Sequence, residues 1–154
     1  MQDRPTAIEL LAAIEDYLAD DVLPALEGAR RFQTRVALNA LRIVRREIEH
    51  ADAHLASEWA GLRDLRDALS GTSPDEHRPP EDAASRDGDP AALRAAVRAQ
   101  TEDLCARIRG GEADAAPARD RVLAHVRASV RRKLEVSNPD WLTPGRRSGS
   151  DPAE

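Results

Sequence analysis

Residues 32–47 read FQTRVALNALRIVRRE, and their apolar side chains recur at the spacing of a helix rather than a strand. Stepping about 100° per residue, Phe32, Ile43, Val36, Ala40, Val44, Ala37, Ile48 and Leu41 fall in one continuous arc, with Arg42, Arg45 and Glu49 opposite. The arc is too wide for a coiled-coil seam, and Ala37 and Ala51 are weak seam residues, so the pattern predicts the central helix of an intramolecular bundle. Glu47 falls inside the arc, and Arg35, Asn39 and Arg46 lie along one edge. Polar groups turned toward a core need partners. These four, with Asn138 in a later turn, are therefore expected to form an interaction site or a buried polar network. Glu47 is expected to pair with Arg35, Arg46 or an arginine of the last helix, or else to mark the binding surface.

Helices are expected throughout. Aromatics make up 3% of the chain, and Ala, Leu, Arg and Glu dominate, a set of good helix formers without β-branched or aromatic runs. The length of 154 residues suits one modest core, and the expectation is a single all-α bundle of four to five helices over 1–142. Lys133 is the only lysine among 23 basic residues, a bias that reads as GC-rich coding and lowers the weight of arginine counts as a functional signal. A net charge of −5 argues against general binding of polyanions. Cys105 is the sole cysteine, so an internal disulfide is excluded, and its neighbours Leu104 and Ile108 suggest a half-buried helical site. Acids interrupt the first apolar stretch, which suits neither a signal peptide nor a membrane span, and a soluble cytoplasmic protein is expected.

Punctuation residues set the expected boundaries. Thr6 with Glu9 three positions on forms a capping box for the first helix, whose apolar face includes Leu10, Ile14 and Tyr17. Pro24 and Gly28 make a corner of Leu23 to Ala29. The central helix runs to about His50 or beyond. Residues 71–90, with four prolines and two glycines, read as a flexible linker. Asp89 and Pro90 then open a helix with Leu93, Val97, Leu104 and Ile108 as its buried stripe, stopped by Gly110 and Gly111. A last helix from about Ala116 to Leu134 is expected to bury Leu123, Val126, Val130 and Leu134. Trp141 and Leu142 are expected to pack the NPDWL turn back on the bundle, with 143–154 a disordered tail.

Reactive constellations are sparse. The sequence has no Gly-x-Ser-x-Gly elbow, no Gly-x-x-x-x-Gly-Lys loop and no Gly-x-Gly-x-x-Gly turn, and Cys105 has no histidine at a useful position. Glu47 and His50 share the Glu-x-x-His spacing of di-iron bundles, but no second copy occurs. His54 lies four residues on, so zinc could use Glu47 or Glu58 with His50 and His54. In so charged a helix this spacing arises readily by chance, and a solvated edge is the preferred reading. No catalytic centre and no cofactor are expected.

Charge is divided unevenly. Residues 1–29 hold seven acids against Arg4, whereas 115–134 hold six bases against Asp120. Arg121, Arg127, Arg131, Arg132 and Lys133 are thus candidates for a basic docking face for an acidic partner or anionic ligand. The competing reading pairs them within the bundle, with the helix dipole favouring bases at that terminus. An alternative is a nucleic-acid-binding module in which the Gly110-Gly111 turn and the basic last helix mimic a helix-turn-helix, but GEADAAP, 111–117, is too long for the tight version and the overall charge opposes it.

Taken in order, PTAIELLAAIEDYLADDVLPAL, F-x-x-RVALNALRIVRRE and KLEVSNPDWL resemble a family of small helical bacterial proteins of uncharacterised function. The likeness covers most of the chain outside 71–90 and 143–154. Members of that family are typically encoded beside aminoglycoside-phosphotransferase-like kinases and acyl-CoA dehydrogenases, and one branch resembles the small subunit accompanying the 4-hydroxyacyl-CoA kinase of levulinate catabolism. The resemblance implies a non-catalytic accessory subunit with a kinase as protein partner; it supplies no catalytic residues. Whether the wide apolar faces close on themselves or on a second copy stays open at this point.

Overall fold

The computed structural model describes residues 4–70 and 89–143, and among these the fold is all-α. Four helices follow one another: α1 Ala7–Tyr17, α2 Gly28–Ser70, α3 Pro90–Arg109 and α4 Ala118–Ser137. A π-helical turn, Leu18–Val22, and a 3-10 turn, Leu23–Ala25, prolong α1 to the corner, and a second 3-10 turn, Pro139–Leu142, follows α4. The described residues divide into two compact units, 4–51 with 133–143, and 52–70 with 89–132. Residues 71–88 of the expected linker over 71–90, and residues 144–154 of the expected tail over 143–154, lie outside the described residues.

Local chemistry places the helix ends where the sequence marks them. The Thr6 hydroxyl accepts from the Glu9 N–H at 3.2 Å and the Glu9 carboxylate accepts from the Thr6 N–H at 2.7 Å, so the capping box is complete. Asp89 accepts from the Ala91 N–H at 2.9 Å, with Pro90 inside the first turn of α3. Gly28 enters α2 at a φ of 54°, and an added Cβ would meet nothing within 4 Å; the glycine is there for its backbone. No internal break divides α2, which runs on past His50 for 43 residues in all.

In the first unit α1 lies antiparallel to α2, because the corner joins Ala25 closely to Gly28 while Glu15 reaches Arg45 at 2.9 Å and Arg42 at 4.0 Å. Glu15 is the buried charge here, 6% exposed. Its hydrogen bond, and then its charge, hold the Arg45 guanidinium above its ordinary pKa. This pairing corrects the expected facing of α2. Arg42 and Arg45 turn inward, toward α1, and Leu38, which lies off the predicted arc, is buried at 3%. Phe32, Val36, Val44 and Ile48 are instead between 45% and 65% exposed. In this facing the carboxylate on the packed face of α1 finds the guanidinium it needs in Arg45, with Arg42 beside it. Leu10, Ile14 and Tyr17 of α1 are exposed as well.

At the other end of this unit Arg46 donates through Nε to the Val136 carbonyl at 2.7 Å, satisfying an acceptor in the last turn of α4. Val136 is buried. Trp141, expected to pack inward, is 72% exposed; Leu142 alone of that pair is partly covered.

The second unit has its own small core of Leu62, Leu65 and Val122. Leu62, Arg66 and Leu69 of α2 and Gln100, Leu104 and Arg107 of α3 line a common cavity of ≈ 10 Å³. Leu123, Val126 and Val130, expected in the core, are 43–48% exposed, while Val122 one residue away is buried. None of the helices among the described residues is long and apolar enough to cross a membrane.

The Glu15 pair gives an ordered prediction. Arg45→Met removes the hydrogen-bonded cation of a buried carboxylate, leaving only Arg42 at 4.0 Å, and should cost about 3–5 kcal/mol, whereas Glu15→Gln leaves arginines that reach water and should cost about 1–3 kcal/mol. Urea denaturation of both variants checks the order, and equal losses would contradict it. Glu47 is exposed, so Glu47→Ala should change stability by less than about 0.5 kcal/mol.

Candidate functional site

α2 and α4 of the second unit meet at a polar cluster built around Glu58. Gly61 permits the approach: an added Cβ would sit 2.8 Å from His125 Nδ1, so the imidazole lies directly on the α2 backbone. His125 Nε2 then reaches Glu58 at 3.2 Å, Ser129 Oγ donates to both carboxylate oxygens at 2.7 and 2.6 Å, and Arg132 closes the set with a short ion pair to Glu58. His125, Glu58 and Arg132 have side chains only 10–23% exposed. Burial by itself pushes the Glu58 carboxyl up, but hydrogen bonds from Ser129 and Arg132 and the charges of His125 and Arg132 outweigh it. The carboxyl is held below its ordinary value.

The order of groups decides what this cluster can do. Nucleophilic catalysis would need the imidazole on the serine hydroxyl, with a carboxylate behind it. Here the carboxylate stands between serine and histidine, and an arginine-bound carboxylate of lowered pKa is a poor base. The arrangement is a lock between two helices. Beside it opens a groove of ≈ 320 Å³ whose walls carry Asp64 on α2 and Arg121, His125 and Arg132 on α4, charges of both signs.

The predicted network is dispersed. Arg46 is tied to the Val136 carbonyl, but Arg35, Asn39, Glu47 and Asn138 are exposed, and none has a side-chain hydrogen bond or ion pair among the described residues. The buried network is thus centred on Glu15. Within the expected basic face, Arg132 is spent on Glu58 and Arg131 also has a partner, whereas Arg121, Arg127 and Lys133 are exposed. Glu47 is not gathered with His50 and His54: among the described residues no group of three or more His, Cys, Asp or Glu is placed to hold a metal ion. The segment between α3 and α4, residues 110–117, exceeds the three or four residues of a tight helix-turn-helix.

Sequence reasoning passed over Ser129 and the pairing of Glu58 with α4. The available signal was His125, Ser129 and Arg132 at three- and four-residue spacing on one helix face, opposite a glycine that α2 has no local reason to hold. It also passed over Trp59 and Arg63, one turn apart, whose Nε1 and Nε are buried without an acceptor among the described residues. Each such donor costs about 1–3 kcal/mol unless something satisfies it.

Residues 24–141 match the family model described as a domain of unknown function, DUF6285. The chain belongs to this family. The matched region takes in α2, α3, α4 and the turn after α4, and leaves out α1 with Glu15. No curated protein and no solved structure matches the chain.

Two measurements follow. Because the folded pKa of Glu58 is lowered, its contribution to stability is complete above the ordinary value of 4.5 and is lost as the pH falls below it through the folded value. Urea midpoints of the wild type should therefore fall over that window more steeply than those of Glu58→Gln. Gly61→Val should cost about 2 kcal/mol by pressing on His125, with only a few tenths of a kcal/mol of helix propensity to offset it.

Proposed function

We propose that this family member is a non-catalytic accessory subunit that binds, and stabilises or activates, a phosphotransferase-like kinase of hydroxyacyl-CoA metabolism. The observation that carries the binding role is an imbalance of apolar surface. Among the described residues five large apolar side chains are buried, and twelve remain exposed by 36% or more. Single exposed apolar residues are ordinary, but contiguous groups of them mark surfaces that another molecule covers.

On α4 the group is Leu123, Val126 and Val130, one stripe at three- and four-residue spacing, with exposed Arg119 and Arg127 beside it. An apolar centre with a charged rim is the anatomy of a protein interface, and the basic rim suits an acidic patch on the partner. The choice of a kinase rests on the resemblance of the sequence blocks to the subunit of the levulinate pathway. The lock at Glu58, which gives Ser129 no base, agrees with a role without chemistry of its own.

Co-expression of the tagged chain with its neighbouring kinase tests the reading. The kinase should co-purify and gain solubility or turnover, and Leu123→Asp with Val130→Asp should weaken the complex about tenfold or more. Unchanged kinase turnover and solubility, with no co-purification, would refute it.

A further inference from the structure

We propose that the exposed apolar face spanning α1 and α2 binds a second copy of this chain, forming a two-fold, antiparallel four-helix dimer. The face is continuous because the two helices are antiparallel and meet along Glu15 and Arg45. With that edge fixed, helical phase turns Leu10 and Ile14 of α1 to the same side as Val44 and Ile48 of α2, with Tyr17 at the outer edge. All five are exposed, by 51%, 47%, 48%, 45% and 60% in that order. A two-helix hairpin with an apolar side is half of a four-helix bundle.

Area favours a second copy. Taking about 200 Å² as the full surface of a large apolar residue, five residues exposed by roughly half present about 500 Å². A stable pair of standard size buries about 800 Å² on each partner, and about 65% of a homodimer interface is apolar, which again gives about 500 Å². The face therefore supplies the apolar share of a homodimer interface without help from other elements.

Shape points the same way. Across the face α1 presents the large Tyr17 while α2 presents the small, exposed Ala37 and Ala40. A two-fold axis lying in the interface and parallel to the helices lays α1 of each copy antiparallel on α2 of the other, so that Tyr17 of one can settle over the alanines of its mate, twice. Arg42 and Arg45 face Glu15 and so lie away from this face. This inference does not depend on the kinase, which was assigned above to α4.

Sedimentation equilibrium of the full chain from about 1 to about 100 µM, a range set by the weaker affinities of standard interfaces, decides it. The wild type should approach twice its 16.8 kDa. Val44→Asp with Ile48→Asp should stay monomeric at equal helicity by far-UV circular dichroism, and Ala40→Arg should weaken association about tenfold or more. Leu123→Asp with Val130→Asp should leave the dimer intact. A wild type monomeric over the whole range, or a dimer that survives Val44→Asp with Ile48→Asp, would overturn the proposal, whatever the kinase experiment shows.

Discussion

The pairing of Glu15 with Arg45 and Arg42 is the constraint from which the arrangement of the first unit follows. A carboxylate on the packed side of a short helix cannot be left without a cation, and here Arg45 and Arg42 of α2 supply it. Apolar burial alone would have turned α2 the other way, since the arc from Phe32 to Ile48 offers more apolar surface than the Leu38 side. With Glu15 on the packed side of α1, turning Arg45 and Arg42 away would leave a buried charge unpaired at a cost of several kcal/mol. The ion pair fits the observed phase of α1 on α2, and the apolar arc is what the solvent side receives.

The second unit solves a similar problem with a different geometry. Glu58 is satisfied by three groups from α4 rather than by two arginines from one neighbour, and the approach that lets them reach it depends on the missing side chain at Gly61. Both units thus rest on one acidic residue at a helix crossing with a few apolar residues around it. Cores this small leave little margin, because net stability is a few kcal/mol between much larger opposing terms. Surface covered by association adds to that margin by mass action.

The elements were legible and their facing was not. Thr6, Pro24, Gly28, Asp89 and Gly110 act locally, through a hydrogen bond or a backbone angle within a few residues, so their meaning is written beside them. A helical wheel, by contrast, reports which side is apolar and says nothing of which side finds a partner within the chain. The arc on α2 and the stripe on α4 were read as core for that reason, and both lie open. Glu15 carried no local signal that would separate it from Glu9 or Asp16; its burial depends on Arg45, thirty residues away. Arg46 was the member of the predicted network that did find a fixed place, on the Val136 carbonyl.

This failure of the wheel is itself informative about function. Apolar periodicity persists in a sequence because that side is covered for much of the molecule's working life, and periodicity does not distinguish cover by the chain's own helices from cover by another protein. Where the periodic side is open, the missing cover is the unknown to be found. On α4 the flanking arginines suit an acidic partner. Across α1 and α2 the face has the apolar area and the large-against-small relief of a self-complementary surface. Half of that second face comes from α1, which precedes the region shared with the family. A dimer formed through it would thus be particular to this chain, and the family match by itself would not transfer it to other members, while α2, α4 and the Glu58 lock lie within the shared region.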